Sequence, residues 1–383
     1  MIDCIQSAKR LDPEPIVFVI DKKSSYGMLS RYFDGDLTVF DRAGDSPFSP
    51  FRGEFNEEKV AFLTKMIVMA VKLTSPNFMV ESEHQSAISD ALRSAYRRKV
   101  DQSGLRLIDG ELVEDEGYER PQIDMGDFMV ALGSLSVEKG SLAKKSIQQL
   151  VSKLKPFYGS GIYAKYFKSP HNKDLSENCL FYVYDLDALD GDPVLQTLMT
   201  MSVIEEIRSI LSLPEHQGRT GFLVMEEFAM LGRGNPAFRD FAIDFAETMR
   251  KRGCWLITLT PRPQNYFDLE VGRAFWGVAD NYIFLKMSSD NVGYIAEKSS
   301  LLDEASTEII RSLRTKKGEY ADVFYMNKNK SKQGAFRFRQ TPYDRWMSPT
   351  NAKDTLAVIN AFKAYPDKWE ALEYLVKQSG GDT

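Results

Sequence analysis

The chain has 383 residues, 43% hydrophobic and 27% charged, the composition of a globular protein with room for one large or two ordinary cores. Its 49 basic and 54 acidic residues are interspersed and leave a net charge of −5, which argues against nucleic-acid binding by bulk electrostatics. Scattered Cys4, Cys179 and Cys254, scattered His84, His171 and His216, no apolar run near the roughly 20 residues of a membrane span and no signal-peptide order at "MIDCIQSAKR" exclude a disulfide framework, a zinc cluster, a spanning helix and secretion, and predict a cytoplasmic protein.

In chain order, "PIVFVID" (15–21) is a β-branched run ending in a carboxylate, the pattern of a buried parallel strand. "NEEKVAFLTKMIVMAVKLTSP" (56–76) opens on the N-cap candidate Asn56 and early acids, then keeps an apolar stripe, which predicts a helix. From about 81 to 172 strand-like runs are few and helical periodicity marks "ISDALRSAYRRKV" and "SIQQLVSKLKPFY", with the acidic loop "LIDGELVEDEGYERP" between them. Strands then return in alternation with helices: "LFYVYDL" (180–186), "GFLVMEE" (221–227), "CWLITLT" (254–260) and "NYIFLKM" (281–287). That alternation predicts a parallel sheet covered on both faces. "GEYADVFYM" and "AFRFRQ" around "NKNKSKQG" predict a hairpin at the sheet edge, and the tail from "SPTNAKD" predicts two helices, the second starting near Pro366 with Trp369, Leu372 and Leu375 on one face.

The chemistry concentrates in "FLVMEE". In nucleotide hydrolases a strand lifts one acid to its carboxyl end to hold Mg²⁺, usually through water, and the next acid polarises the attacking water. Glu226 and Glu227 stand in those places. A buried strand running into an acidic helix start, favoured by the macrodipole, has the same pattern. The partner motif, G-x-x-x-x-G-K-[ST], is not in the sequence, which contains no Gly-Lys pair at all. "KGSLAKKS" (139–146) has the wrong glycine spacing. A βαβ unit of about 30 residues places such a loop ahead of Met1. "MIDCIQSAKRLDPEP" is then expected to continue the helix behind that loop, with Ile2, Ile5 and Ala8 or Lys9 at helical spacing.

Several further segments follow one another in a set order: "VIDKKSSYGML" with Asp21, Ser25 and Tyr26; "FSPF" with Ser49, Pro50 and Phe51; "PFYGSGIYAKYF" ahead of "LSENCLFYVYDLDAL"; "MEEF"; "MRKRG"; and "TLTPRPQNYFD". In this order the chain resembles the TraC/VirB-type ATPases that power type IV secretion and conjugation, over essentially all 383 residues. It departs from the family pattern in having no phosphate loop, Glu226 for Asp, Pro261 for Gln and Ser49 for Asn.

The resemblance implies an α/β fold: a RecA/FtsK-like P-loop NTPase core with a mostly parallel sheet, incomplete at the N-terminus, plus an inserted all-helical subdomain. Its parts would be 1–80 as the first portion of the core, 81–172 as the helical insertion, 173–345 as the second portion, and 346–383 as a helical tail. It implies Glu227 as the catalytic carboxylate, Glu226 as the Mg²⁺ contact through water, Thr260 as a sensor of the γ-phosphate, and Arg250 or Arg252 as an arginine finger reaching a neighbour in a ring. Asp21 would help order the site. For Thr260 the alternative is a strand residue chosen for β-propensity, for the arginines a helix C-terminus that favours cations, and for Asp21 a cap on the loop to "SSYG".

The implied ligands are ATP and Mg²⁺. The implied partners are further copies of the chain and other type IV secretion components, with membrane association at the inner membrane only through those partners. The alternatives are a non-catalytic subunit of the same machinery and a DNA translocase of the FtsK or HerA type. "SAYRRKV" and "NKNKSKQGAFRFR" mix bases and aromatics as DNA contacts do, and equally as a solvated helix face and a lysine-protected edge hairpin do.

Overall fold

The computed structural model describes residues 2–22, 25–42, 47–103, 107–108, 111–112, 121–138, 141–168, 179–227, 236–316, 319–347, 349 and 352–379. Its strands are β1 (Ile16–Asp21), β2 (Asp36–Val39), β3 (Leu107–Ile108), β4 (Glu111–Leu112), β5 (Phe181–Asp185), β6 (Gly221–Glu226), β7 (Cys254–Leu259), β8 (Asn281–Leu285), β9 (Thr315–Lys316), β10 (Tyr320–Asn327) and β11 (Gln333–Arg339). The chain divides into two compact units, one made of Met1–Thr38, Ser176–Asp187 and His216–Thr383, the other of Val39–Leu175 and Ala188–Glu215.

The first unit is built on a five-stranded sheet of order β2-β5-β1-β6-β7. β5, β1, β6 and β7 run parallel. Every residue of β1 and β5 is buried, as expected for "IVFVID" and "FYVYD", continuous apolar runs that a sheet covered on both faces demands. On one face Val17, Val19, Phe181, Val183 and Val224 pack with Tyr26, Leu29 and Tyr32 of the β1–β2 connection. The same core takes in Trp346 and Met347, Val358 and Ala361 of helix Ala352–Ala364, and Leu372 and Leu375 of helix Lys368–Gln378. Burying each of these leucines contributes about 1.5–3 kcal/mol. Asp367 starts the last helix by accepting from the amides of Trp369 and Glu370. Trp369 itself stays 48% exposed, so of the stripe expected there only Leu372 and Leu375 face inward.

β7 is the margin of this sheet, and among the described residues its outer side pairs with no strand. Its sequence "CWLITL" carries no charge, and Trp255 is 61% exposed.

β8 does not join the parallel sheet. It pairs antiparallel with β10 in a second sheet of order β11-β10-β8, where β10 and β11 form the expected hairpin. The reason lies in its alternation: Tyr282 and Phe284 turn into a core with Val292, Ile295 and Ile310, while Ile283 and Leu285 stay half exposed or more. A strand buried on one face only suits an antiparallel sheet.

The second unit is mainly helical. Helix Glu57–Thr74 begins where Asn56 accepts from the Lys59 amide at 2.9 Å, the N-cap expected from the sequence. Helix Ser82–Ser103 buries His84, Ala87, Ile88, Ala91, Leu92, Ala95, Tyr96 and Val100, a stripe at three- and four-residue spacing. Within the segment expected to be a loop, β3 and β4 form a short antiparallel pair, while 109–110 and 113–120 lie outside the described residues.

Candidate active site

A parallel sheet presents the carboxyl ends of its strands on one side, and there β1, β5 and β6 each end in an acid. Asp21 lies in register with Asp185, and pairing of Ile20 with Met225 puts Asp21 and Glu226 on the next row. Residues on one row of a parallel sheet point to the same face. Asp21 is fully buried and Asp185 nearly so, whereas Glu226 is partly open.

Local bonds fix each acid. The amide of Tyr26 donates to Oδ2 of Asp21 at 3.0 Å, so Asp21 closes the turn leading to "SSYG", the capping arrangement weighed from the sequence. Asp185 accepts from the amide of Asp187 at 2.9 Å. Tyr26 also donates its hydroxyl to Oε1 of Glu226 at 2.9 Å. Glu227 follows directly, with its amide on the carbonyl of Leu259 at 2.9 Å and a φ of +50°. That left-handed conformation is uncommon for a residue with a Cβ and turns the second carboxylate out of the alternation of β6.

Thr260 follows the last residue of β7, on the same side of the sheet. Its hydroxyl accepts from the amide of Arg262 and from Nδ2 of Asn265, and donates to the carbonyl of Arg262, all within 3.0–3.1 Å. The turn "TPRPQN" is thereby knotted around Thr260.

The arginines lie elsewhere. β6 and β7 pair from Gly221–Cys254 to Glu226–Leu259, and Arg250 and Arg252 precede Cys254. At about 3.3 Å per residue the start of β7 lies roughly 17 Å from the acids, and both arginines come before it, at the amino end of the sheet. Helix Pro236–Lys251 ends there, with Gly253 at φ +70° donating to the carbonyl of Arg250, a left-handed C-cap. Ala242, Phe245 and Met249 are buried on this helix, with Arg250 exposed.

The structure thus gathers Asp21, Glu226, Glu227 and Thr260 at one end of the sheet and leaves Arg250 and Arg252 at the other. Sequence reading passed over Asp185 and gave Tyr26 no role. The signal for Asp185 was present, since "FYVYD" ends in an acid as "FVID" does. Nothing in spacing alone joins Tyr26 to a residue 200 positions away.

Among the described residues no group of three His, Cys, Asp or Glu side chains is placed to hold a metal ion, and no helix is long and apolar enough to cross a membrane. In the basic-aromatic segments Tyr96 stacks on Phe55 at 4.2 Å, Arg337 pairs with Asp322 and lies 3.8 Å over the Tyr320 ring, and Phe336 stays 53% exposed.

No curated protein matches the sequence. Among solved structures the fold is similar to VirB4 of Thermoanaerobacter pseudethanolicus, with a TM-score of 0.63 and 17% identity over 87% of this chain and 84% of that one. Lower similarity is found to the plasmid coupling protein TrwB in complex with ADP and Mg²⁺ (TM-score 0.47, 12% identity, 86% of each chain). TrwB with a non-hydrolysable GTP analogue gives 0.47 and 12% over 85% of each chain. The α/β core with its largely parallel sheet is accordingly a P-loop NTPase fold, as the resemblance implied. The family model of the TraG P-loop domain matches residues 11–379, nearly the whole chain, and the chain belongs to that family.

Proposed function

We propose that the chain is the ATPase domain of a type IV secretion or conjugative DNA-transfer motor, coupling ATP hydrolysis to pilus assembly or substrate transport. The observation that carries this reading is the row Asp21–Asp185–Glu226, with Glu227 directly behind it, at the carboxyl ends of adjacent parallel strands. In α/β sheets ligands bind outside those ends. Glu227 serves as the carboxylate that polarises water, and Asp21 orders the turn that carries Tyr26. Thr260 stands where the γ-phosphate would be sensed, through a hydroxyl already engaged in its own turn. Arg250 or Arg252, a strand length from the acids of their own chain, serve a neighbouring subunit in a ring.

Mg²⁺ keeps most of its waters and asks for one or two carboxylates. Glu226, partly open and with one oxygen committed to Tyr26, fits a contact through water. When bound, the ion would neutralise charge on the phosphates.

The working division is a core of 1–80 and 173–345, a helical insertion at 81–172 and a tail at 346–383. The chain would work in the cytoplasm, held at the inner membrane by its secretion partners. In this fold a G-x-x-x-x-G-K-[ST] loop cradles the phosphates, and turnover is to be measured on a version of the chain that carries one. Calorimetric titration of that version with MgATP is the test, and no binding would sink the reading. The second reading is a non-catalytic subunit of the same machinery, which predicts that no version hydrolyses ATP. A DNA translocase of the FtsK or HerA type would instead show turnover stimulated by DNA.

A further inference from the structure

Tyr26 touches two of the strand-end acids at once, Asp21 through its amide and Glu226 through its phenol. Tyr26 is 2% exposed and packed in the core with Val19, Leu29 and Val224, so its place is set by the fold rather than by either acid. Burial above all, then the Glu226 charge, pushes the phenol far above its ordinary pKa and keeps it a donor. A glutamate has one more rotatable bond than an aspartate and loses more rotamer freedom when it is fixed. At the end of β6 a longer, looser acid therefore needs an external restraint if it is to present its carboxylate in one place.

We propose that Tyr26 is a positioning residue that fixes Glu226 before any ligand arrives, holding Oε1 so that Glu226 meets a ligand through Oε2. The use of this device rests on the hydrolase reading above; its geometry does not. A bond from a neutral phenol to a charged carboxylate shields that carboxylate from reaction as well as from motion.

The test is carboxyl labelling of the chain with a water-soluble carbodiimide and an amine, read residue by residue by mass spectrometry without nucleotide. Tyr26→Phe keeps the ring and removes only the hydroxyl. The expected result is that Glu226 labels about tenfold faster, the equivalent of losing one charge-assisted bond, while distant acids keep their rates. An unchanged Glu226 rate in the folded variant overturns the proposal, and so does a lowered thermal midpoint with no change at Glu226, the outcome of a purely structural role. If Tyr26→Phe unfolds, every carboxyl accelerates together. Glu226→Asp then breaks the same bond from the other side, and the shortened carboxyl must label faster than Glu226 does in the wild type. Because no nucleotide is used, failure of the hydrolase reading in the calorimetric test leaves this result intact, and the reverse also holds.

Discussion

Glu227 hangs from Leu259: its amide donates to that residue's carbonyl at 2.9 Å, one position beyond the end of β6, at a φ of +50°. A left-handed conformation costs a residue with a Cβ about 1–2 kcal/mol, a cost that glycine avoids. Glu227→Gly is therefore expected to hold or raise stability, by up to about 1 kcal/mol in urea unfolding. Glu227→Gln should leave stability unchanged and lower ATP turnover by about 10²–10⁴-fold in a version carrying a phosphate loop. If the glutamine variant turns over normally, Glu227 is not the catalytic carboxylate.

Lys59 lies 7% exposed in the second unit, near Glu205, Glu206, Arg208 and Arg52. Burial pushes its ammonium down to about 8, with the two glutamates pulling the other way. Its folded pKa lies below the unfolded one, so between about 8 and about 10.5 the unfolded chain binds more protons and stability gains with rising pH. Lys59→Met removes that gain. The wild type should improve relative to the variant by on the order of 3 kcal/mol between about pH 7 and about pH 10.5. Paired unfolding curves check it, since other alkaline titrations cancel in the difference. A flat difference would show that Lys59 is not desolvated.

Gly272 and Gly277 share helix Glu270–Val278 and should respond in opposite ways. A Cβ on Gly272 would fall 1.9 Å from the carbonyl oxygen of Asn265 and 2.7 Å from Cα of Tyr266, whereas one on Gly277 meets nothing within 4 Å. Gly272→Ala is expected to cost at least about 1–3 kcal/mol and to disturb the Asn265 bond to Thr260. Gly277→Ala should gain up to about 1 kcal/mol through helix propensity. Thermal unfolding of the pair decides it, and equal effects would refute the close crossing.

Asp192 accepts from the amides of Val194 and Leu195 and starts helix Pro193–Ile210, whose first residue, a proline, has no donor to satisfy. Asp192→Ala should cost about 1 kcal/mol, and Asp192→Ser should restore most of it. A neutral alanine variant in urea unfolding would remove the cap.

Much of this fold was legible because buried parallel strands write themselves as unbroken apolar runs. β1, β5, β6 and β7 begin and end within a residue or so of "PIVFVID", "LFYVYDL", "GFLVMEE" and "CWLITLT". Asn56 gave away its helix through a side chain that bonds locally. β2 was missed, since "DLTV" is too short to show a period. β8 was assigned to the wrong kind of sheet because its alternation is diluted by large apolar residues on the open face. At the candidate site the sequence supplied the carboxylate pair and Thr260. It did not supply Tyr26's bond to Glu226, because that contact comes from the β1–β6 register, a long-range property with no local signature.

The uncharged margin of the parallel sheet has a practical side. A strand whose outer side pairs with no strand among the described residues, with no lysine or proline to blunt it and a protruding Trp255, is an adhesive strip about 17 Å long. Uncharged sheet margins of this kind are where strands of separate molecules pair in concentrated solution. A single lysine in place of Trp255 is the smallest change that would make the material easier to handle.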